Sequence, residues 1–121
     1  MIKLTFCLIR RPDFTREAFL DYWLNHHAPL VASVREPLRI RRYVQLHSSP
    51  PGQGLDAAAA RGAPPGYDGV AQLWWDSAED LAATADDPAA ANAGRLLLED
   101  ERRFIDLARS PLWWGEEHVI F

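Results

Sequence analysis

The chain has a single cysteine, Cys7, so it can form no intrachain disulfide and no cysteine metal cluster. That fits a reducing compartment, and a cytoplasmic location is the expectation. Positive charge is not in excess. The 13 Lys and Arg residues stand against 17 Asp and Glu, and a formal charge of −4 argues against a nucleic-acid partner. No apolar run reaches bilayer-spanning length, so no membrane partner is expected. The opening MIKLTFCLIRR is too short and wrongly flanked for a signal peptide. The GxGxxG, Walker, GxSxG and HExxH patterns are all missing, which leaves nucleotide cofactors, a hydrolase nucleophile and a dedicated metal site without support. His118 shares an expected strand face with Glu116, which is compatible with a metal ion but weak support for one.

What is present fits one α+β domain over 1–121. The hydrophobic fraction is 48% and the charged fraction 25%, both ordinary for a globular chain, while five tryptophans are many for this length. Residues 2–10 alternate, with Ile2, Leu4, Phe6 and Leu8 on one side, and predict a strand. Thr15 reads as an N-cap, with Phe14 stapling to Phe19, for a helix running to about His27. Pro29 marks a kink or a second start, and Pro37 is expected to close the helical stretch. A second strand is expected over 39–47 and a third over 67–76. Between them lies a long Pro/Gly/Ala-rich loop, 48–66, in which LDAAAAR can make a helical turn. Ser77 with Asp80, then Asp87 with Pro88, start two further helices, the last running to about Leu107. Residues 112–121 read as the final strand. The order is the ferredoxin-like βαββαβ pattern, a four-stranded antiparallel sheet with both helices on one face.

That order creates a difficulty. Both sheet faces carry large apolar groups: Leu73 and Trp75 against Val70 and Trp74, and Trp113 and Phe121 against Trp114 and Ile120. Exposed patches of that kind mark interfaces, and two sheets packed face to face in a homodimer would cover them. Arg39, Arg41 and Arg42 form a local basic cluster, either a partner site or a solvated strand edge.

The candidate chemistry begins in TREAFLDYWLNHHAPLV, residues 15–31. At about 100° per residue, Phe19, Leu20, Tyr22, Trp23 and Leu24 form an apolar arc, and His26 and His27 fall inside it. His27 reads either as a general acid/base or as a buried histidine bonded to a backbone carbonyl at the Pro29 kink. On the second strand Tyr43 and His47 share a face, suited to orienting an oxygen and moving a proton; the alternative is a core Tyr43 and a His47 that merely ends the strand. On the last helix Asp100 projects between Leu107 and Phe104, and Glu101 between Ala108 and Gly94, within a greasy arc. A carboxylate placed there needs a partner: His27 on the inside, or a local arginine at an edge. Asp106 falls on the solvent side.

The segments YWLNHHAPLV (22–31), RYVQLH (42–47), YDGVAQLWWD (67–76) and LLEDERRFID (97–106) resemble, in order, those of the EthD family of the dimeric α+β barrel superfamily. The resemblance implies a homodimer whose two sheets form the barrel, with a pocket between sheet and helices in each subunit. It implies chemistry less firmly. The family name comes from ether-degrading, cytochrome-linked metabolism; relatives include small decarboxylases and polyketide cyclases, and the wider superfamily holds cofactor-free oxygenases and haem-degrading enzymes. The HAPLV segment matches a histidine of the family at His27. The expectation is therefore a cofactor-free enzyme acting on a small hydrophobic, oxygenated molecule by decarboxylation, dehydration, cyclisation or oxygenation. His27, His47, Tyr43 and Asp100 are the expected catalytic residues, and Trp23, Trp74, Phe104 and His26 the expected substrate contacts. The alternatives are a non-catalytic accessory protein of an oxidative pathway and a haem-handling protein with a histidine ligand.

Overall fold

The computed structural model describes residues 1–50, 52–53 and 56–121. Strand β1 (Ile2–Leu8) leads into helix α1 (Arg16–Tyr22), a π-helical turn (Trp23–His27), α2 (Ala28–Ser33) and the short α3 (Arg35–Leu38). Then come β2 (Arg42–His47), α4 (Ala57–Ala60), β3 (Gly69–Trp75), α5 (Ala78–Ala83), α6 (Pro88–Phe104) and β4 (Leu112–Gly115). The strands pair antiparallel in the order β2-β3-β1-β4, which is the ferredoxin-like α+β arrangement. No helix among the described residues is long and apolar enough to cross a membrane.

The expected caps are present. Thr15 Oγ1 accepts from the Ala18 N–H at 3.1 Å, Ser77 Oγ from Asp80 at 3.0 Å, and Asp87 Oδ1 from Ala89 at 3.0 Å, each satisfying a donor the first helical turn leaves free. Phe14 meets Tyr22 edge-on, with ring centroids 6.0 Å apart. In the loop, Asp56 caps α4 through a 2.9 Å bond from Ala59, so part of LDAAAAR is helical; Leu55, with Pro51 and Gly54, lies outside the described residues.

Several boundaries differ from expectation for local reasons. Pro37 does not close a helix; it sits inside the single turn of α3, where a missing N–H costs little. Arg39 caps that turn in the left-handed region (φ 58°), so β2 starts at Arg42 and not at Arg39. Helix α6 stops at Phe104 because Ile105 bridges to Arg10 and the Asp106 N–H is taken by the Ile9 carbonyl at 2.8 Å. The last strand ends at Gly115, leaving Val119, Ile120 and Phe121 outside the sheet and exposed. Glu116 and His118 are thus not on a strand face.

The register sets the two faces. Leu4 lies opposite Leu73 and Trp114, Phe6 opposite Ala71 and Leu112, and Tyr43 opposite Leu73. This face meets the helices. Leu8 and Ala71 pack with Phe19, Trp23, Phe104 and Ile105 in one cluster, and Trp75 with Val31 and Ile40 in another. Burying side chains such as Trp23, Phe19, Phe104 and Leu8 is worth about 1.5–3 kcal/mol each. The other face turns Val44, Leu46, Val70 and Trp113 outward, and Leu46 is 60% and Trp113 49% exposed. Trp74 also belongs to this face, buried under Lys3 and Arg42, whose cationic groups each lie 4.7 Å from a ring centroid of its indole, with its Nε1–H donated to Glu117. The arginine cluster proves to be a strand edge served by its own acids: Arg39 pairs with Asp80 at 3.0 Å and Arg41 with Asp76 at 3.3 Å.

Candidate functional site

The π turn decides where the two histidines point. The Ala28 N–H bonds to the Trp23 carbonyl, one residue further back than an α-helix allows. The extra residue in that turn breaks the 100° periodicity on which the sequence reading rested. His27 stays over Trp23 and is buried, whereas Leu24 is 52% exposed and the His26 side chain 56% exposed. His26 is therefore not a cavity residue. Its ring packs at a tilt against Tyr22 (centroids 4.5 Å apart) and its Nε2 lies 3.4 Å from Asp100.

Asp100 is 4% exposed and holds the centre of a small polar network. Its Oδ2 lies 2.7 Å from His27 Nδ1, and its Oδ1 accepts from the Tyr22 hydroxyl at 2.6 Å. Burial alone would raise the Asp100 carboxyl; the bonds from Tyr22 and His27, with the nearby imidazoles, outweigh it and hold the group below the usual carboxylate value. Ionised, it can only accept, so His27 Nδ1 must carry the proton. Burial holds the His27 ring below the ordinary histidine value in spite of Asp100, so near neutrality it is uncharged. Nε2 then keeps its lone pair. Among the described residues Nε2 bonds to nothing, and no sealed side-chain nitrogen or oxygen is left unpartnered, so Nε2 opens onto accessible space.

His27 lines a cavity of about 260 Å³ between sheet and helices. Leu4, Phe6, Leu73 and Trp75 form its sheet wall; Trp23, Val31 and Leu97 line the helix side. His27, Tyr43 and Glu101 bring its titratable groups. Burial pushes the Tyr43 phenol up to about 12, so it remains a donor. Its orientation is set from behind. Gln45 Nε2 donates to Tyr43 Oη at 2.8 Å and to the Trp23 carbonyl at 3.0 Å, while His47 Nε2 donates to Gln45 Oε1 at 2.8 Å. With Gln45 filling one acceptor site, the Tyr43 hydroxyl hydrogen is free for another partner.

Four of the expected residues line the cavity or hold its base: His27, Tyr43, Trp23 and, from behind, Asp100. Four do not line it. His47 stacks on the Trp23 ring (centroids 4.8 Å apart) and acts on Gln45, not on the cavity. Phe104 is fully buried against Phe19, Tyr22 and His27, behind the site. Trp74 faces the opposite side of the sheet, and the lining tryptophan of that pair is Trp75. His26 lies outside for the reason given above. Asp106 is half-buried beside Arg109, away from the cavity. The residue whose role was not anticipated is Glu101. Burial first, and then the charge of Asp100, push its carboxyl up to about 7. The signal was present in the sequence as a carboxylate on the apolar arc of α6.

Among the described residues no group of three or more His, Cys, Asp or Glu side chains is placed to hold a metal ion.

Comparison with known proteins agrees with this architecture. A protein of Claviceps purpurea (strain 20.1) named a decarboxylase is 27% identical over 124 residues, covering 97% of this chain and 84% of its own length. An ethyl tert-butyl ether D (EthD) family protein from Bacillus halodurans superposes with a TM-score of 0.61 at 18% identity, covering 98% of this chain and 100% of that one. A dimeric protein of ferredoxin-like fold from Bacteroides fragilis gives 0.58 at 14% identity, with 96% and 95% covered. The EthD domain profile matches residues 11–108, which include every residue of the polar network and all of the cavity wall except the share of β1 and β4. The chain belongs to the EthD domain family.

Proposed function

We propose that this protein is a cofactor-free enzyme that moves a proton beside a carbonyl group of a small, apolar, oxygenated molecule. The observation that carries the reading is the 2.7 Å His27–Asp100 bond, which leaves an uncharged imidazole with its lone pair toward an apolar cavity. In the first step His27 Nε2 takes a proton from the carbon next to the carbonyl, and the C–H electron pair moves onto the carbonyl oxygen. The Tyr43 hydroxyl donates a hydrogen bond to that oxygen as its charge grows. Asp100 supports the transient imidazolium without taking its proton. Dehydration and cyclisation can proceed from the resulting enolate; in decarboxylation His27 Nε2 takes the carboxyl proton of the acid substrate, the bond to the carboxyl carbon breaks as carbon dioxide leaves and its electron pair forms the enolate, and the imidazolium returns that same proton to carbon. The decarboxylase name of the Claviceps purpurea relative favours a lyase among these outcomes.

The active form in this reading is a homodimer joined through the uncovered sheet face that carries Val44, Leu46, Val70 and Trp113. The dimeric Bacteroides fragilis protein of the same fold supports it.

The test is a panel of aryl ketones and β-oxo acids assayed for product formation and for affinity, with wild type and His27→Ala. The expected result is lost turnover with binding preserved. Binding by both proteins with no turnover by either would replace the enzyme with a ligand-binding accessory protein.

A further inference from the structure

Beyond the base and its partner, one ionisable group on the cavity wall has no structural employment. Glu101 shares a stripe of α6 with Gly94 and Leu97, and all three line the cavity. Asp100, the preceding residue, turns instead to His27. Among the described residues Glu101 makes no ion pair and no side-chain hydrogen bond, although Arg102 and Arg103 follow it directly. The two arginines are exposed, and Arg103 Nη1 lies 4.0 Å from Asp100. Among the described residues no carboxyl oxygen is sealed without a partner, so the Glu101 head group is open to accessible space, and Glu101 lines the cavity.

The rest of the wall sharpens the point. Strands β1, β3 and β4 bring no titratable side chain to the cavity; the π turn brings His27 and β2 brings Tyr43. Among the described residues no lysine or arginine lines it. A ligand carboxylate would enter an apolar space holding an acid, a neutral imidazole and a phenol, with no cation to meet it. The desolvation cost of that charge would go uncompensated.

We propose that Glu101 is the charge filter of this cavity, admitting ring-sized molecules with an uncharged carbonyl, amide or phenol function and turning away carboxylates. An uncharged amide or phenol can donate to the Glu101 carboxylate, and a carbonyl can accept from Tyr43 or from the protonated acid. An acid substrate would have to enter with its proton on, which is also the form in which a β-oxo acid readily loses carbon dioxide. This inference rests on the cavity being the ligand site proposed above, but not on the role of His27.

The test is ligand-observed NMR titration with benzamide and benzoate, two probes of nearly equal shape, one neutral and one anionic, at about pH 8. Wild type is expected to bind benzamide and to bind benzoate roughly tenfold more weakly or worse. Glu101→Gln removes the charge and should bring the two affinities within about threefold of each other. Glu101→Asp keeps the charge and should keep the discrimination. His27→Ala should also keep it while losing proton transfer, so failure of the filter and failure of the base are told apart. Equal binding of the two probes by wild type, an unchanged ratio in Glu101→Gln, or no binding of either probe would overturn the proposal.

Discussion

The His27 imidazole donates its Nδ1–H to Asp100 over 2.7 Å, from the π turn to the neighbouring helix α6. Asp100 also accepts a hydrogen bond from the Tyr22 hydroxyl, so both its oxygens are acceptors in use. Asn in its place offers one acceptor and one donor. Either Tyr22 or His27 must then reverse its bond, and a reversed His27 carries its proton on Nε2. Asp100→Asn is expected to lower proton-transfer rates by a factor on the order of 100 or more and to destabilise the fold by about 1–3 kcal/mol. Nitrogen NMR of histidine-labelled protein reads the tautomer directly, and thermal unfolding reads the cost.

Glu101 makes stability depend on pH with a definite sign. Its folded value of about 7 lies above the ordinary 4.5, so the folded state holds the proton more tightly than the unfolded chain. The resulting stabilisation is complete below about 4.5 and is lost as pH rises through about 7. Glu101→Gln, which has no charge to bury, should exceed wild type in stability by about 2–3 kcal/mol near pH 8 and by little near pH 5. Denaturant melts of both proteins at the two pH values check this. His27 acts in another window: its lowered value makes the folded state resist protonation, so stability falls as pH drops below about 6.5.

Gly69 is required by the close approach of Trp23. A Cβ on Gly69 would collide with the Trp23 ring and stand 2.8 Å from the Leu46 carbonyl oxygen. The ring cannot retreat easily, because His47 stacks against it with planes 15° apart and Phe19 packs at 5.9 Å. Gly69→Ala is expected to cost about 1–3 kcal/mol and to displace Trp23 from the cavity wall. A drop in melting temperature together with a changed tryptophan fluorescence spectrum would show both effects.

The order of elements along the chain, the capping residues and the two faces of each strand are legible because each follows from a local rule: period-two alternation, a side-chain cap, a proline at a first turn. His27 with Asp100 was legible as one of two resolutions of a buried charge, since both fall on apolar arcs. The misplaced contacts have specific causes. An α-helical angle places Leu24 and His26 on the arc, and the π turn does not keep that angle. Trp74 and Trp75 are adjacent in a strand, and alternation separates them without saying which face holds the cavity. His47 shares a face with Tyr43, but Gln45 stands between them and takes its bond. Phe104 is deep in the core because α6 packs its last turn there, a tertiary fact with no periodic signature.

The uncovered sheet face makes a claim about assembly. Leu46 on β2 and Trp113 on β4 stand on the same side of the sheet, near its two edges. Wild type should run as a dimer in light scattering at micromolar concentration, and the double change Leu46→Glu with Trp113→Glu should shift it to monomer while leaving helix content unchanged. A monomeric wild type would remove the homodimer from the proposed function.

The most direct test of the proposed base is hydrogen exchange into solvent at the methyl group of acetophenone, followed by NMR in heavy water. Wild type is expected to accelerate the exchange, and His27→Ala to fall to the uncatalysed background while still binding the ketone. Equal exchange by the two proteins would contradict His27 as the base, and ketone binding without any exchange would contradict the enzyme.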